Sequence, residues 1–307
     1  ASKSRGLGDV YKRQVNKLLI GNGFNILNKG DTTRISLGLN CSYLFGNLDR
    51  TSTVVYNNSN DYNSRIQYRS SLSGWGFDVG LQIFKRFKTV SNNKLFLNLG
   101  VNYSLSSDIT TDNDFFAYTF KYNFSVQEFP KDTLAMENEN SNMILPEKLE
   151  FGLSIGKVYK NKRRWDFGAQ YSSIDWTKFQ DNSKYSSQSD FLMSTYSRIS
   201  LGYRLSPNLD WSNTNKSLLS KSTFSLGIHQ TQSKIIVDES SLIQNGINFG
   251  VSIPLLSSRS LSRVNFGVEV GKLGDLTINK IEENYFKFSI GFSLGPDTRY
   301  DRWFRKR

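Results

Sequence analysis

The chain has 307 residues, of which 37% are hydrophobic and 14% aromatic, and its mean hydropathy is −0.45. Its 39 Lys and Arg residues outnumber its 27 Asp and Glu residues, which gives a formal net charge of +12, and its single cysteine excludes an internal disulfide. No stretch approaches the ~18 consecutive apolar residues of a transmembrane helix, so the sequence excludes helical membrane spans. The composition still allows a membrane β-barrel, because half of each barrel strand faces a polar lumen.

The first 14 residues, ASKSRGLGDVYKRQ, show no strand alternation and contain no Met. GLGDVYKRQ is similar to a translated sequencing-adapter scar, so we expect residues 1–14 to be a non-native segment. A basic N-terminal arm is the alternative. If the segment is a scar, the true N-terminus is missing and the lack of a signal peptide says nothing about export.

The stretch RISLGLNCSYLF, residues 34–45, carries an apolar side chain at every second position from Ile35 to Phe45. Gly38 lies among the polar residues between them, and Cys41 on the apolar side is read as a small hydrophobe. This period of two predicts a strand with two unlike faces. An apolar–Gly–apolar unit recurs along the chain with its glycine on the polar side: Gly38, Gly80, Gly100, Gly152, Gly168, Gly202, Gly227, Gly250, Gly267 and Gly291. Such periodic glycines favour a repetitive, curved antiparallel sheet.

Alternation of this kind predicts about eleven strands. They are read at 15–26, 34–46, 65–84, 95–106, 149–158, 165–176, 196–205, 221–231, 246–255, 263–272 and 285–294. The aromatic run 115–124 also alternates. Strand 95–106 is predicted to run outward and strand 149–158 to run back, so an even number of crossings must separate them. We therefore predict that the run is an extension or hairpin of an outer loop rather than a single crossing. The predicted fold is an all-β antiparallel transmembrane β-barrel over residues 15–294, followed by a basic periplasmic tail at 295–307. Single-chain bacterial barrels generally have an even number of strands, so an odd count favours N-terminal truncation.

Two sets of residues follow from the barrel interpretation. The polar face is rich in Gly, Ser, Asn and Gln, which favours a lumen over the exposed surface of a soluble sandwich, and aromatic residues near strand ends resemble the interfacial girdles of outer-membrane barrels. The predicted lumen-facing residues are Asp78, Gln82, Asn98, Asn102, Asp166, Gln170, Arg204, His229, Asn248, Glu269 and Lys287. The predicted girdle residues are Tyr43, Phe45, Trp75, Trp165 and Trp176. A soluble β-rich binding protein is the alternative.

The positive charge is concentrated in connections such as KNKRR at 160–164 and in the last residues of the chain. We place these connections in the periplasm and the longer loops 47–64, 177–195, 232–245 and 273–284 outside. This distribution argues against nucleic acid. It favours a basic rim at the phospholipid headgroups, with a periplasmic protein partner as the alternative.

The segment from Leu145 to Phe179 resembles part of the FadL-type long-chain fatty-acid channels, with matching positions at Pro146, Gly152, Trp165 and Trp176. The C-terminal run ENYFKFSIGFSLGPDTRYDRWFRKR is similar to the ends of FadL-like outer-membrane barrels of Bacteroidota. The resemblance implies a 14-stranded barrel in the bacterial outer membrane, with an N-terminal hatch that this chain lacks. It also implies outer-membrane lipid and a fatty acid or similar hydrophobic ligand as partners.

The chain offers little for catalysis. Its one histidine, His229, shares a face with Ser225, but four residues along a strand separate them by about 13 Å, so we predict no enzyme, no metal and no cofactor. Three functions remain. The first is a channel for hydrophobic or amphipathic small molecules, the second is an outer-membrane accessory of protein secretion or surface attachment, and the third is a soluble binding protein.

Overall fold

The computed structural model describes residues 4–30, 32–56, 61–88, 93–122, 128–184, 193–209, 217–238, 240–255, 262–278 and 280–294. These residues form an almost entirely β structure. Its strands are β1 (Ser4–Lys29), β2 (Thr33–Tyr56), β3 (Asn63–Lys88), β4 (Lys94–Ser104), β5 (Ser107–Tyr122), β6 (Glu128–Leu145), β7 (Lys148–Val158), β8 (Arg164–Asp175), β9 (Gln180–Asp181), β10 (Thr195–Ser206), β11 (Thr223–Val237), β12 (Ser240–Pro254), β13 (Arg263–Asp275) and β14 (Ile281–Ser293).

These strands form one 14-stranded antiparallel sheet. Its main row runs from β1 through β2, β3 and β4 to β7 and β8, and then from β10 in sequence order to β14. No backbone pairing joins β1 to β14 among the residues described, and the sheet is not closed. The prediction of an all-β antiparallel fold is therefore confirmed, whereas closure into a transmembrane barrel stays a prediction.

A hairpin made of β5 and β6 stands beside the main row. One half of β3 pairs with β4 over residues 78–88, and its other half pairs with β5 over residues 63–74. The aromatic run 115–124, predicted to be part of a loop hairpin, lies largely in β5, which confirms that reading. We call the end of the sheet that carries this hairpin the hairpin end, and the opposite end, where β1 turns into β2 and β7 into β8, the base.

Several strands are longer than the sequence predicts. The loop expected at 47–64 is wrong, because β2 continues to Tyr56 and β3 begins at Asn63. The loop expected at 232–245 is also wrong, since β11 reaches Val237 and β12 starts at Ser240. These extensions lack a consistent alternation of apolar and polar side chains, so the sequence pattern does not predict them, but each has a neighbouring strand that satisfies its backbone groups.

The same cause explains two further differences. β1 begins at Ser4 instead of residue 15, because β2 pairs with it along nearly its whole length. β6 occupies Glu128–Leu145, a stretch without a consistent apolar face that was expected to be loop. The origin of residues 1–14 stays a prediction.

Helical structure within the described ranges is confined to a 3-10 turn at Trp176–Lys178 and the short helix α1 at Leu218–Lys221. No helix in those ranges is long and apolar enough to cross a membrane. The predicted C-terminal tail at 295–307, most of the turn at 256–262 and part of the loop at 177–195 lie outside the described residues.

The buried apolar core lies at the hairpin end. The buried hydrophobic residues of the described chain are Leu72, Ile109, Ala117 and Phe120, all on β3 or β5. In the main row, the apolar side chains are mostly exposed, with Phe249 at 49% and Phe288 at 55% of their full accessibility. The main row therefore presents a bare apolar surface rather than a core.

Candidate functional site

The strand register places the recurring glycines and the polar residues on one face of the sheet, which we call the polar face. Gly38 lies opposite Gly80, and Gly202 lies opposite both Gly168 and Gly227. Directly opposed residues of an antiparallel pair share a face. The following predicted lumen residues all fall on the polar face by this register: Asp78, Gln82, Asn98, Asn102, Asp166, Gln170, Arg204, His229, Asn248, Glu269 and Lys287. That this face encloses a membrane lumen stays a prediction.

The polar face lines a cavity of about 840 Å³ that extends from β1 to β12. The sheet curves around it. Six of the predicted lumen residues line this cavity: Gln82, Asn98, Asn102, Gln170, His229 and Asn248. Among its described lining residues, Glu150 and Arg198 are the charged ones, so this part of the polar face carries one charge of each sign and is otherwise polar and rich in glycine.

The other predicted lumen residues lie outside this cavity. Asp166 and Arg204 line a smaller pocket at the base, and Asp78 is 4.0 Å from the Lys17 ammonium group. Glu269 lies opposite Lys287 in the last strand pair. The charged members of the predicted set are thus kept toward the rim of the polar face.

A polar network surrounds the single histidine. The His229 Nε2 atom is 3.9 Å from Glu269 Oε1, and the Tyr285 hydroxyl donates to the same oxygen at 3.0 Å. Gln244 Nε2 in turn donates to the Tyr285 hydroxyl at 2.8 Å. Ser225 lies elsewhere and donates to the Gly250 carbonyl, so the structure does not bring the conceivable Ser–His pair together.

Glycines make room for this network. A Cβ atom at Gly246 would stand 2.5 Å from His229 Cε1, and one at Gly271 would overlap the Tyr285 ring. Both large side chains can therefore lie against the backbone of the neighbouring strand. The recurring apolar–Gly–apolar unit predicts the polar face of these strands. It does not include Gly246 and Gly271, because neither glycine has apolar residues on both sides.

The base of the polar face is strongly basic. One pocket of about 390 Å³ is lined by Arg34, Arg86 and Arg164, and a second of about 480 Å³ by Arg164, Arg204 and Arg263. The sequence pattern predicts Arg204 on the polar face and places Arg86 and Arg164 in basic turns. It does not predict Arg34 and Arg263 here, because the inward direction of a side chain near a turn depends on the strand register.

Two aromatic rings lie within the first of these pockets. Phe84 and Phe96 are stacked with ring centroids 6.4 Å apart. The Arg86 guanidinium lies 5.8 Å from the Phe84 centroid, and that of Arg164 lies 5.0 Å from the Phe96 centroid. Cation–π contacts of this kind hold a guanidinium against an aromatic ring.

Of the predicted girdle residues, Tyr43, Phe45 and Trp75 lie midway along β2 and β3 rather than near strand ends, whereas Trp165 and Trp176 lie at or next to the two ends of β8. Tyr43 packs against Trp75 at 4.9 Å and Phe45 at 5.9 Å between centroids. Trp165 lies at the base and donates to the Tyr159 hydroxyl. Trp176 lies in the 3-10 turn at the opposite end of β8, with the Lys234 ammonium 3.8 Å from its ring centroid. Their contact with a membrane interface stays a prediction.

At the hairpin end, a bidentate ion pair joins β3 to β6. Arg65 Nη1 and Nη2 donate to the two carboxylate oxygens of Glu128 at 2.5 and 2.6 Å. The same guanidinium donates to the Tyr118 hydroxyl and lies 4.8 Å from the Phe120 ring centroid. The hydrogen bonds from Arg65 lower the pKa of Glu128 below its ordinary value.

The family model BamG matches residues 6–307, nearly the whole chain. That family is associated with the bacterial outer membrane, and its name links it to the outer-membrane assembly complex. No curated protein and no solved structure matches. The comparisons lend no support to the finer FadL-type assignment.

Proposed function

Since the chain belongs to the BamG family, we propose that it is a membrane-embedded accessory subunit of the machinery that assembles β-barrels in the bacterial outer membrane. The observation that carries this proposal is the family match over nearly the whole chain. The second function inferred from the sequence, an accessory of protein secretion or surface attachment, is the nearest of the three to this role.

The exposed apolar face supports a location within the bilayer. Ile247 and Phe249 on β12 and Phe286, Phe288 and Phe292 on β14 are all exposed, on the side opposite the polar face, and these two strands flank β13. Monomeric soluble proteins rarely leave so extended an apolar surface bare. In our proposal lipid covers this face, with Leu37, Leu99, Phe151 and Phe266 among its contacts, while the polar face encloses the lumen.

The two ends of the sheet then lie on opposite sides of the membrane. The base, with its arginines and the basic turn at 160–164, faces the periplasm, where unfolded barrel substrates and assembly partners are located. The hairpin end extends beyond the bilayer on the outside. Strands as long as β3 support this placement, because a tilted crossing takes only about 9–11 residues.

Affinity purification from crosslinked outer membranes tests the proposal. A photoreactive amino acid at Lys160, in the basic turn, is expected to crosslink to an assembly-machinery subunit. The matched control is the same substitution at Thr277, which lies in the β13–β14 connection at the opposite end. Recovery of the machinery at neither position, or equally at both, would contradict the proposed orientation and role.

A channel for hydrophobic or amphipathic molecules such as fatty acids is the second candidate, because the cavity of about 840 Å³ is glycine-rich and carries few charges. Cavities of about 300–1,000 Å³ hold small ligands. Uptake of a fluorescent fatty acid into liposomes that contain the protein, above the rate of protein-free liposomes, would favour this candidate. Steady ion conductance without such uptake would reject it.

A further inference from the structure

Five arginines from five different strands line two pockets at the base of the polar face. Arg34 begins β2 and Arg86 lies near the end of β3, while Arg164, Arg204 and Arg263 lie at the base ends of β8, β10 and β13. Arg164 lines both basal pockets and so joins them into one surface. We call this set the arginine belt.

The belt has a large excess of positive charge. Among the described residues that line the two pockets, Asp166 is the only one with a carboxylate. That carboxylate is already engaged, since Arg164 Nε lies 2.9 and 3.0 Å from its two oxygens and Arg164 Nη2 donates at 2.9 Å. Like charges gathered on one surface raise the free energy of the protein by itself, and an anionic ligand would lower it.

The geometry suits carboxylates carried on an extended chain. A guanidinium presents a planar fork of N–H donors that matches a carboxylate in two parallel hydrogen bonds. Phe84 and Phe96 form an apolar wall beside three of the arginines, where the aliphatic part of a peptide could pack. Gly156 permits this arrangement, because a Cβ atom there would overlap the Phe96 ring and the Asp166 carboxylate.

The terminal segments of the given sequence do not carry the charge to fill the belt, because residues 1–14 and residues 295–307 each contain more Lys and Arg than Asp and Glu. Under the proposed membrane placement, phospholipid headgroups meet the edge of the apolar face and the turns rather than the polar face. These two considerations favour an anionic segment of another polypeptide.

We propose that the arginine belt is a docking site for an acidic segment of a partner protein that enters the polar face from the base. The inference rests on the proposed orientation, in which the base faces the periplasm and the assembly machinery. It assigns to the inward arginines a role distinct from that of the outward basic residues, which contact headgroups.

Fluorescence anisotropy with the purified full-length protein in neutral detergent tests the site. The probe is a labelled Glu-rich peptide, and its counterpart has every Glu replaced by Gln. At low salt we expect the Glu peptide alone to bind, and the double variant R34Q/R204Q to bind it about tenfold more weakly, a loss of about 1.4 kcal/mol. Binding should weaken as salt is added, because the charges are screened.

The matched control removes the same charge at the same end of the sheet but off the polar face. K157Q/K160Q does so, because Lys157 lies opposite Trp165 on the apolar face and Lys160 lies in the turn. Its binding should change by less than about twofold. Equal losses in both double variants, or equal binding of the Glu and Gln peptides, would overturn the proposal. Heat-modifiable gel migration establishes that each variant is folded.

Two further arms separate the remaining outcomes. If R34Q/R204Q instead weakens binding to anionic phospholipid vesicles and leaves peptide binding intact, the belt is a lipid site and the proposal is wrong. If the peptide binds but no subunit of the assembly machinery is recovered with the protein from crosslinked membranes, the belt is upheld and the assembly role is refuted. If the machinery is recovered but the peptide does not bind, the belt alone is refuted.

Discussion

Gly246 lies directly opposite His229 across the β11–β12 pair, and a Cβ atom at Gly246 would stand 2.5 Å from His229 Cε1 and 2.8 Å from the Tyr285 hydroxyl oxygen. The glycine thus provides the space in which the imidazole lies against the sheet, close to Glu269. This pairing links a backbone feature of one strand to a polar network that spans β11 to β14.

The substitution Gly246→Ala should therefore destabilise the protein by about 1–3 kcal/mol, the usual range for overpacking a filled site. Urea unfolding in detergent, followed by tryptophan fluorescence, measures the change. Gly100→Ala is the control, since a Cβ atom at Gly100 meets nothing within 4 Å. Adding His229→Ala to Gly246→Ala should recover the part of the loss that comes from the imidazole, and equal destabilisation by both alanine substitutions would argue against the steric explanation.

Adjacent residues of β12 test which face meets lipid. Phe249 is exposed on the apolar face, whereas Asn248 lines the polar cavity and lies opposite Glu269. Phe249→Arg should cost about 2–4 kcal/mol near the middle of a bilayer and reduce the amount of folded protein in the outer membrane. Asn248→Lys should be tolerated, because it adds a cation beside a carboxylate. If Asn248→Lys instead reduces the amount of folded protein in membrane fractions more than Phe249→Arg does, the assignment of the two faces is wrong.

The Arg65–Glu128 ion pair should hold the β5–β6 hairpin to β3. Glu128→Gln is expected to weaken this attachment by about 1 kcal/mol, because the pair is only partly buried and solvent screens it. Hydrogen exchange of β6 amides should accelerate as a result. Lys131→Gln, on the same strand, serves as the control. If exchange accelerates equally in both variants, the effect comes from the loss of any charge on β6 and not from the Arg65–Glu128 pair.

The same pair predicts a pH dependence. Because the folded-state pKa of Glu128 lies below its ordinary value of 4.5, the stabilisation is complete above that value and is lost as the pH falls through the folded-state pKa. Protection of β6 amides should decline in this acidic range in the wild type. In Glu128→Gln the decline should be smaller, and an identical pH profile in both proteins would exclude Glu128 as its source.

The main row of strands was predictable from the sequence, because each strand there separates an apolar face from a polar one. Residues 246–254 illustrate this, since Ile247 and Phe249 alternate with Asn248 and Gly250. Parity of the crossings also identified the hairpin around residues 115–124. Both inferences depend on side-chain pattern and on chain connectivity, which are written in the sequence.

The extensions and the base were not predictable in the same way. Thr51 and Ser52 have polar neighbours on both faces, and only the long backbone pairing with β1 and β3 shows that they belong to a strand. In the sequence, Arg86 is predicted to be a turn charge and Arg34 is only the first residue of a predicted strand. Their convergence with Arg164 depends on the register of strands far apart in the chain, which no local pattern records.

Controlled depletion of the protein tests the central claim most directly. The measurement is the rate at which a newly synthesised outer-membrane barrel acquires its heat-modifiable folded form in pulse–chase labelling. If the protein is an assembly accessory, depletion should slow this folding, and wild-type protein but not Phe249→Arg should restore it. Normal folding of newly made barrels in depleted cells, with loss of hydrophobic-compound uptake, would contradict the assembly role and support the channel.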